Sequence, residues 1–474
     1  MKMYFKHLIS FFMIIFILIS HGFVSYATEG DEPTTEYPKT TEYPDDPERL
    51  PDTVGDAIIV MDAATGQILY EKNAYSKMYP ASITKIMTSL IALENGNLSD
   101  TITMSENAVW GIERGSSHIA LDVGEEINFE DALYAVLIVS ANEAAWGVAE
   151  HIGGTLENFC DMMNQKAEEL GCVSTHFVNA NGLHDDDHYT CAYDMALITR
   201  EALKYDKFRE ITATTYYSIP PTNMKEDTRE LWQNNKLIKE GSDYYYEYCE
   251  GGKTGFTDQA LGTLVTWAKK DDVELICVTM HNHPTVTSYT DSKALYEYFF
   301  NNYSYAEPLK DFTFSDEDIK EAENELNKYF DGINGGQLSL DVDTGVKLLV
   351  RNSFTKDNMA ITYDASYIDE ASNQAGTLTI GDDSETYAVL PVYYSGYIFE
   401  PIPQTETTDA LEALTKETSG KSNNSQQIML VLSIAAIILM VLLIALVIIR
   451  INHVKKQRAL NKRIREKRRI NNRK

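Results

Sequence analysis

Tyr79-Pro80-Ala81-Ser82-Ile83-Thr84-Lys85-Ile86-Met87-Thr88 is the most informative stretch of the chain. Ile83, Ile86, Met87, Leu90 and Ile91 fall at i, i+3, i+4, i+7 and i+8, the spacing of one helical face, so a buried helix begins here. Ser82 and Lys85 are three apart and therefore neighbours across one turn. Unsatisfied N–H groups and the helix dipole favour negative charge beside Ser82. A serine hydroxyl is a poor nucleophile until a base takes its proton. Lysine can be that base only when neutral, and burial beside a second cation lowers its pKa in that direction. S-x-x-K alone is weak evidence, because a capping serine followed by a solvated lysine gives the same pattern.

Strand patterns lie on both sides of this helix. Ala57–Met61, a turn at Asp62–Gly66 and Gln67–Tyr70 read as a hairpin; Gly262–Ala268 and Val273–Met280, separated by Lys269–Asp272, read as another. From Ser82 to about Tyr205 the periodicity is mainly helical. Strands enclosing a helical middle predict an α+β domain over 53–305, an antiparallel sheet with a helical subdomain. A small, mostly β domain is expected over 306–402. Its helix is Ser315–Phe330, begun by the cap-like Ser315-Asp316-Glu317-Asp318, and its strands are Val346–Val350, Met359–Tyr363, Thr377–Ile380 and Tyr387–Tyr393.

The 474 residues carry 41 Lys+Arg against 71 Asp+Glu, a net charge of −30. From Arg450 onward there are 12 basic residues and one acid, which leaves 29 − 70 = −41 for the body. So acidic a body disfavours nucleic acid, and no nucleic-acid partner is expected. Residues 1–27 have Lys2 and Lys6, an apolar stretch and Ser25-Tyr26-Ala27, the form of a secretory signal cut after Ala27. Whether it is cut or retained as an N-terminal anchor, the body is exported. Residues 28–52 form an acidic linker rich in Pro and Thr, and 403–427 form a second tether. Ile428–Ile449 has 22 residues without a charge, enough as a helix to cross the roughly 30 Å hydrocarbon core. The basic tail at 450–474 would then be cytoplasmic and the body extracellular, on a single-pass cell-membrane protein in contact with the lipid bilayer. Cys160, Cys172, Cys191, Cys249 and Cys277 form no C-x-x-C and are odd in number, so no disulfide framework is expected.

Two further motifs change the weight of Ser82 and Lys85. Ser140-Ala141-Asn142 follows the apolar run Ala135–Val139, and Lys253-Thr254-Gly255 follows Glu250-Gly251-Gly252 at the start of the late strand region. S-x-x-K, S-x-N and K-T-G thus occur in order, 58 and 113 residues apart. Such a set marks β-lactamases and penicillin-binding proteins.

The segment from Asp56 to Tyr303 resembles the serine D,D-carboxypeptidases of the low-molecular-mass penicillin-binding proteins. Further marks of the resemblance are Met61-Asp62-Ala63-Ala64-Thr65-Gly66, Asn179-Ala180-Asn181-Gly182-Leu183, Ala192-Tyr193-Asp194-Met195-Ala196 and Lys253-Thr254-Gly255-Phe256-Thr257-Asp258. It implies a penicillin-binding/β-lactamase-like fold with the site between sheet and helical subdomain. It also implies removal of the terminal D-Ala from peptidoglycan stem peptides, acylation by β-lactams, and no cofactor. Carried over by position, Ser82 would be acylated and Lys85 would be its base. Ser140 would relay a proton to the leaving group, Asn142 would bind the substrate amide, and Lys253 and Thr254 would hold the terminal carboxylate. Gly255 would let a substrate backbone approach, and the N–H groups of Ser82 and Phe256 would form the oxyanion hole.

Other signals are set aside. His184-Asp185-Asp186-Asp187-His188 with His281-Asn282-His283 suggests a metal site, but acids between histidines read as a solvated turn. Glu323-Asn324-Glu325-Leu326-Asn327 resembles the deacylating element of class A β-lactamases. It follows the third motif instead of preceding it, and is read as surface helix. Tyr244-Tyr245-Tyr246-Glu247-Tyr248 is read as packing before a strand instead of a glycan-stacking surface. A β-lactamase and a catalytically silent penicillin-fold binding protein are the competing readings, and the intact triple motif argues against silence.

Overall fold

A computed structural model describes residues 41, 46, 48–329, 338–369 and 372–396. The apolar run 1–27, most of the 28–52 linker, the 403–427 tether, the apolar run 428–449 and the basic tail lie outside the described residues. Among the described residues no helix is long and apolar enough to cross a membrane. The chain divides into two compact units. One holds the residues up to Val60 with Tyr70–Lys270 and Glu274–Tyr298; the other holds Met61–Leu69, Asp271–Val273 and the residues from Phe299 onward.

A five-stranded sheet has the order β2-β1-β9-β8-β7, where β1 is Ala57–Asp62, β2 Ile68–Lys72, β7 Cys249–Thr257, β8 Leu261–Lys270 and β9 Val273–Asn282. Every residue of β1 is buried, as are the central stretches of β8 and β9. Strands covered on both faces read as the continuous apolar runs seen in the sequence. β7 pairs antiparallel with β8, from Cys249 opposite Ala268 to Thr257 opposite Leu261, and forms one edge of the sheet.

The helices of this unit are α1 (Lys85–Asn95), α2 (Glu106–Trp110), α3 (Phe129–Ile138), α4 (Asn142–Gly153), α5 (Leu156–Glu169), α6 (Ala192–Ala202), α7 (Asp206–Ala213) and most of α8 (Thr287–Asn302). The first eight residues of α1 are all buried, and it packs against α3, α4, α5 and α6. Asn128 caps α3 through the N–H groups of Glu130 and Asp131, and Thr155 caps α5 through that of Asn158. Two short antiparallel pairs complete the unit: β3 (Thr101–Thr103) with β4 (Glu126–Asn128), and β5 (Tyr216–Ile219) with β6 (Arg229–Trp232).

In the second unit β10 (Tyr303–Ala306) pairs antiparallel with β12 (Leu348–Arg351). A four-stranded antiparallel sheet follows the order β11-β15-β14-β13, made of Ser339–Asp341, Thr386–Ser395, Gln374–Gly381 and Ala360–Asp369. Helix α9 (Asp316–Tyr329) packs on β13 and β14 and buries Ala322 and Leu326. Ser315 and Asp318 cap it reciprocally: the Asp318 N–H donates to Ser315 Oγ at 3.2 Å, and the Ser315 N–H to Asp318 Oδ2 at 2.8 Å.

The loop between α5 and α6 is tied down by Asp194, a fully buried residue of α6. Its carboxylate accepts from the N–H groups of Val173 (2.9 Å) and Ser174 (2.7 Å) and from the Thr175 hydroxyl (2.6 Å). Replacing Asp194→Ala strands the two backbone donors and leaves the Thr175 hydroxyl only Thr190, and is expected to cost about 2 kcal/mol, read as a lower midpoint of denaturant unfolding. An unchanged midpoint would show that the loop is held by other means.

Candidate active site

The chain enters α1 through a 3-10 turn, Ala81–Thr84, so Ser82 sits one tight turn ahead of the α-helix. Ala81 has φ +50°, a region non-glycine residues avoid. Its carbonyl leaves no room beside it: a Cβ on Gly182, itself at φ +82°, would lie 1.9 Å from Ala81 O. On the other flank a Cβ on Gly255 would stand 2.4 Å from Thr263 Oγ1 and 2.8 Å from Ser82 N. Only glycine lets β7 come this close to the turn. The Thr263 hydroxyl donates to Pro80 O at 2.9 Å and fixes the same approach from β8.

Lys85 is fully buried, and its Nζ meets three oxygens: Asn142 Oδ1 at 2.6 Å, Asn181 O at 2.5 Å and Ser82 Oγ at 3.1 Å. The amide and carbonyl oxygens can only accept, so they take two N–H bonds. A neutral amine has two N–H groups and one lone pair, which then faces the Ser82 hydroxyl. Burial, reinforced by the nearby charge of Lys253 and opposed by Glu143, holds Lys85 well below the ordinary lysine range.

Lys253, on β7, is 1% exposed and donates to Ser140 Oγ at 3.1 Å and Thr254 O at 2.7 Å. Burial pushes its pKa down to about 7. Ser140 lies in the turn between α3 and α4 with φ +66°, and Asn142 opens α4 with its N–H on Ser117 O at 2.8 Å.

The three motifs therefore converge within the first unit. Ser82, Lys85 and Asn142 share one hydrogen-bond cluster, and Ser140 pairs with Lys253 two residues before Asn142. Thr254 and Gly255 follow on the edge strand, where Phe256 is 56% exposed. Two contributors carried no sequence expectation of their own. The Asn181 carbonyl is a backbone group without a side-chain signature. Glu143, directly after the second motif, is 2% exposed; its Oε1 accepts from Ile119 N at 2.7 Å, its Oε2 has no partner, and burial raises its pKa.

The reading of His184–His188 as a solvated turn needs correction at one end. His184 to Asp187 are exposed, but His188 is buried with both ring nitrogens bonded to this chain. Among the described residues no group of three His, Cys, Asp or Glu is placed to hold a metal ion. The tyrosine segment packs internally: Tyr246 stacks on Tyr296 at 6.0 Å, and Tyr244 lies 5.3 Å from Tyr289. Glu323 lies on α9 in the second unit.

The family model described as D-alanyl-D-alanine carboxypeptidase, peptidase family S11, matches residues 45–284. The D-alanyl-D-alanine carboxypeptidase DacF of Bacillus subtilis is 31% identical over 346 residues, 70% of this chain and 83% of that protein. The D-alanyl-D-alanine carboxypeptidase DacC of Escherichia coli is 32% identical over 54% of this chain, which spans 64% of that protein. Penicillin binding protein 5 from Haemophilus influenzae shares the fold over 74% of this chain and 99% of its own, with a TM-score of 0.57 at 24% identity.

The lysine burial has a consequence for stability. In the unfolded chain Lys253 titrates near about 10.4, whereas folding lowers it to about 7. Between those values the unfolded state binds a proton that the folded state has released, so stability rises with pH across the window. Lys253→Met is expected to flatten that rise between about pH 7 and 10, measured by denaturant unfolding. An identical pH slope in both proteins would contradict the burial of a titrating lysine.

Proposed function

The chain belongs to the D-alanyl-D-alanine carboxypeptidase family and is a serine-type hydrolase of it, and on that premise we propose that Ser82 is the acylated nucleophile and Lys85 its base. The substrate is a peptidoglycan stem peptide ending in D-Ala-D-Ala. The Ser82 hydroxyl gives its proton to the Lys85 lone pair while Oγ attacks the carbonyl carbon of the penultimate D-Ala. The Lys253 ammonium and the Thr254 hydroxyl hold the terminal carboxylate, and Asn142 binds the peptide amide. Edge strand β7 leaves one side open, so the substrate backbone lies along it past Gly255. The oxyanion is received by the N–H groups of Ser82 and Phe256, which the glycine at 255 keeps close together. As the C–N bond breaks, the proton taken up by Lys85 is relayed through the Ser140 hydroxyl, which gives one proton and regains one, to the departing D-Ala amine. Water then attacks the ester, giving a proton to the Lys85 amine, which returns it to Ser82 as the shortened peptide leaves.

The observation that carries this reading is the fully buried Lys85 Nζ, two of whose contacts are obligate acceptors and the third the Ser82 hydroxyl. A β-lactam follows the same first step, but its leaving amine stays tethered to the acyl group. No glutamate of the class A deacylating kind lies between the second and third motifs, so the adduct persists.

The address belongs to the same proposal. Residues 1–27 direct export, and Ile428–Ile449 anchors the catalytic unit outside the cell membrane, with the basic tail on the cytoplasmic side. The 403–427 stretch separates the folded units from this anchor in the sequence and gives the enzyme reach into the wall.

D-alanine release from a D-Ala-D-Ala peptide by the full chain is expected to vanish in Ser82→Ala and to fall on the order of a hundredfold or more in Lys85→Met. Full release by Ser82→Ala would overturn the assignment of the nucleophile. Deleting 428–474 is expected to move the protein from the membrane fraction to the soluble one, and continued sedimentation with membranes would contradict the anchor.

A further inference from the structure

The loop between α5 and α6 does more than supply the Asn181 carbonyl. His188, near its end, is 1% exposed and lies edge-on to Phe177 at 5.6 Å. The Val178 N–H donates to its Nδ1 at 3.1 Å. A backbone N–H cannot accept, so Nδ1 is bare and the ring proton sits on Nε2. Nε2 in turn lies 2.8 Å from Thr84 Oγ1, and the Thr84 hydroxyl donates to Ala81 O at 2.9 Å. Each donor in this chain has one acceptor, and the direction runs from Val178 through His188 and Thr84 to the Ala81 carbonyl. Burial holds the imidazole down to about 3, which keeps it neutral and the direction fixed.

The end of the chain of bonds is the peptide unit that joins Ala81 to Ser82. That unit is planar and trans, so its carbonyl and its N–H point in opposite directions and move together. Pinning the Ala81 carbonyl therefore aims the Ser82 N–H. The pin is needed because Ala81 sits at φ +50°, a conformation costing on the order of 1–2 kcal/mol that relaxes unless its surroundings hold it. A donated bond at the carbonyl also polarises the peptide and strengthens the N–H as a donor.

We propose that Thr84 and His188 are positioning residues for the oxyanion hole, acting through the Ala81–Ser82 peptide to orient and polarise the Ser82 N–H. The inference rests on the reading of Ser82 as nucleophile and oxyanion donor. Neither side chain touches substrate; their effect is on the transition state and leaves ground-state binding alone.

The test uses the full chain, a D-Ala-D-Ala peptide and penicillin. Thr84→Val keeps the shape and removes the relay, while Thr84→Ser keeps the relay. Thr84→Val is expected to lower kcat and the rate of penicillin acylation about tenfold with KM unchanged, and Thr84→Ser to restore both. His188→Leu, which can neither accept from Val178 nor donate to Thr84, is expected to give a loss of the same kind, and the double variant Thr84→Val with His188→Leu to be no slower than Thr84→Val, since both break one series. A purely structural role would lower the unfolding midpoint without this split between kcat and KM. A kcat within twofold of the parent in folded Thr84→Val, a loss confined to KM, or losses that multiply in the double variant would each overturn the proposal. Ser82→Ala is run beside them: retained acylation there would show that the nucleophile reading had failed, whereas its loss with Thr84→Val fully active would show that only the positioning inference had.

Discussion

Two lysine side chains buried in one site set the terms for everything around them. An ammonium group removed from water loses several kcal/mol of hydration, and a second like charge nearby makes the loss worse. Lys85 and Lys253 are 0% and 1% exposed, and the charge of Lys253 works against that of Lys85. Burial and like charge together disfavour the charged form of Lys85. Lys85 donates to Asn142 and Asn181, and in the proposed neutral state its lone pair is left for the Ser82 hydroxyl 3.1 Å away. In the proposed mechanism the base is thus produced by burial and hydrogen-bond geometry.

Holding such a group requires a scaffold that cannot relax. Ser82 is set by a 3-10 turn whose first residue is strained, Ser140 by an interhelical turn with φ +66°, and Lys253 by a strand anchored residue by residue to β8. The strain is confined by packing: Gly182 closes on the Ala81 carbonyl and Gly255 on the Ser82 nitrogen. Regular elements bring motifs separated by 58 and 113 residues into one cluster, and the proposed catalytic groups inherit their precision.

Much of this was legible in the sequence because it follows from periodicity and motif. The apolar stripe from Ile83 to Ile91 gives α1, and the apolar runs of β1, β8 and β9 give the sheet. The helix and the longer strands of the second unit also appear close to their expected places. Other features leave little trace. β7 holds Gly251, Gly252 and Gly255, which suppress a strand signal while making room for the turn. β3 to β6, with three or four residues each, are too short for alternation to stand out. The tight turn at Ser82 depends on tertiary contacts from Thr263 and Gly182, and a backbone acceptor such as Asn181 O has no sequence signature at all. His188 was hidden by its neighbours: three aspartates in a row describe a solvated turn, and nothing local says that the next residue leaves the surface.

The account turns on whether Lys85 is neutral when the enzyme works, and the pH dependence of the rate of penicillin acylation addresses that most directly. Burial and the neighbouring Lys253 charge hold the Lys85 pKa well below the ordinary lysine range, so the limb that reports the base is expected to lie below that range, with no further gain as the pH rises toward about 10. A rate that climbs steadily toward that value, as an unperturbed lysine would require, would contradict the buried base on which the mechanism depends.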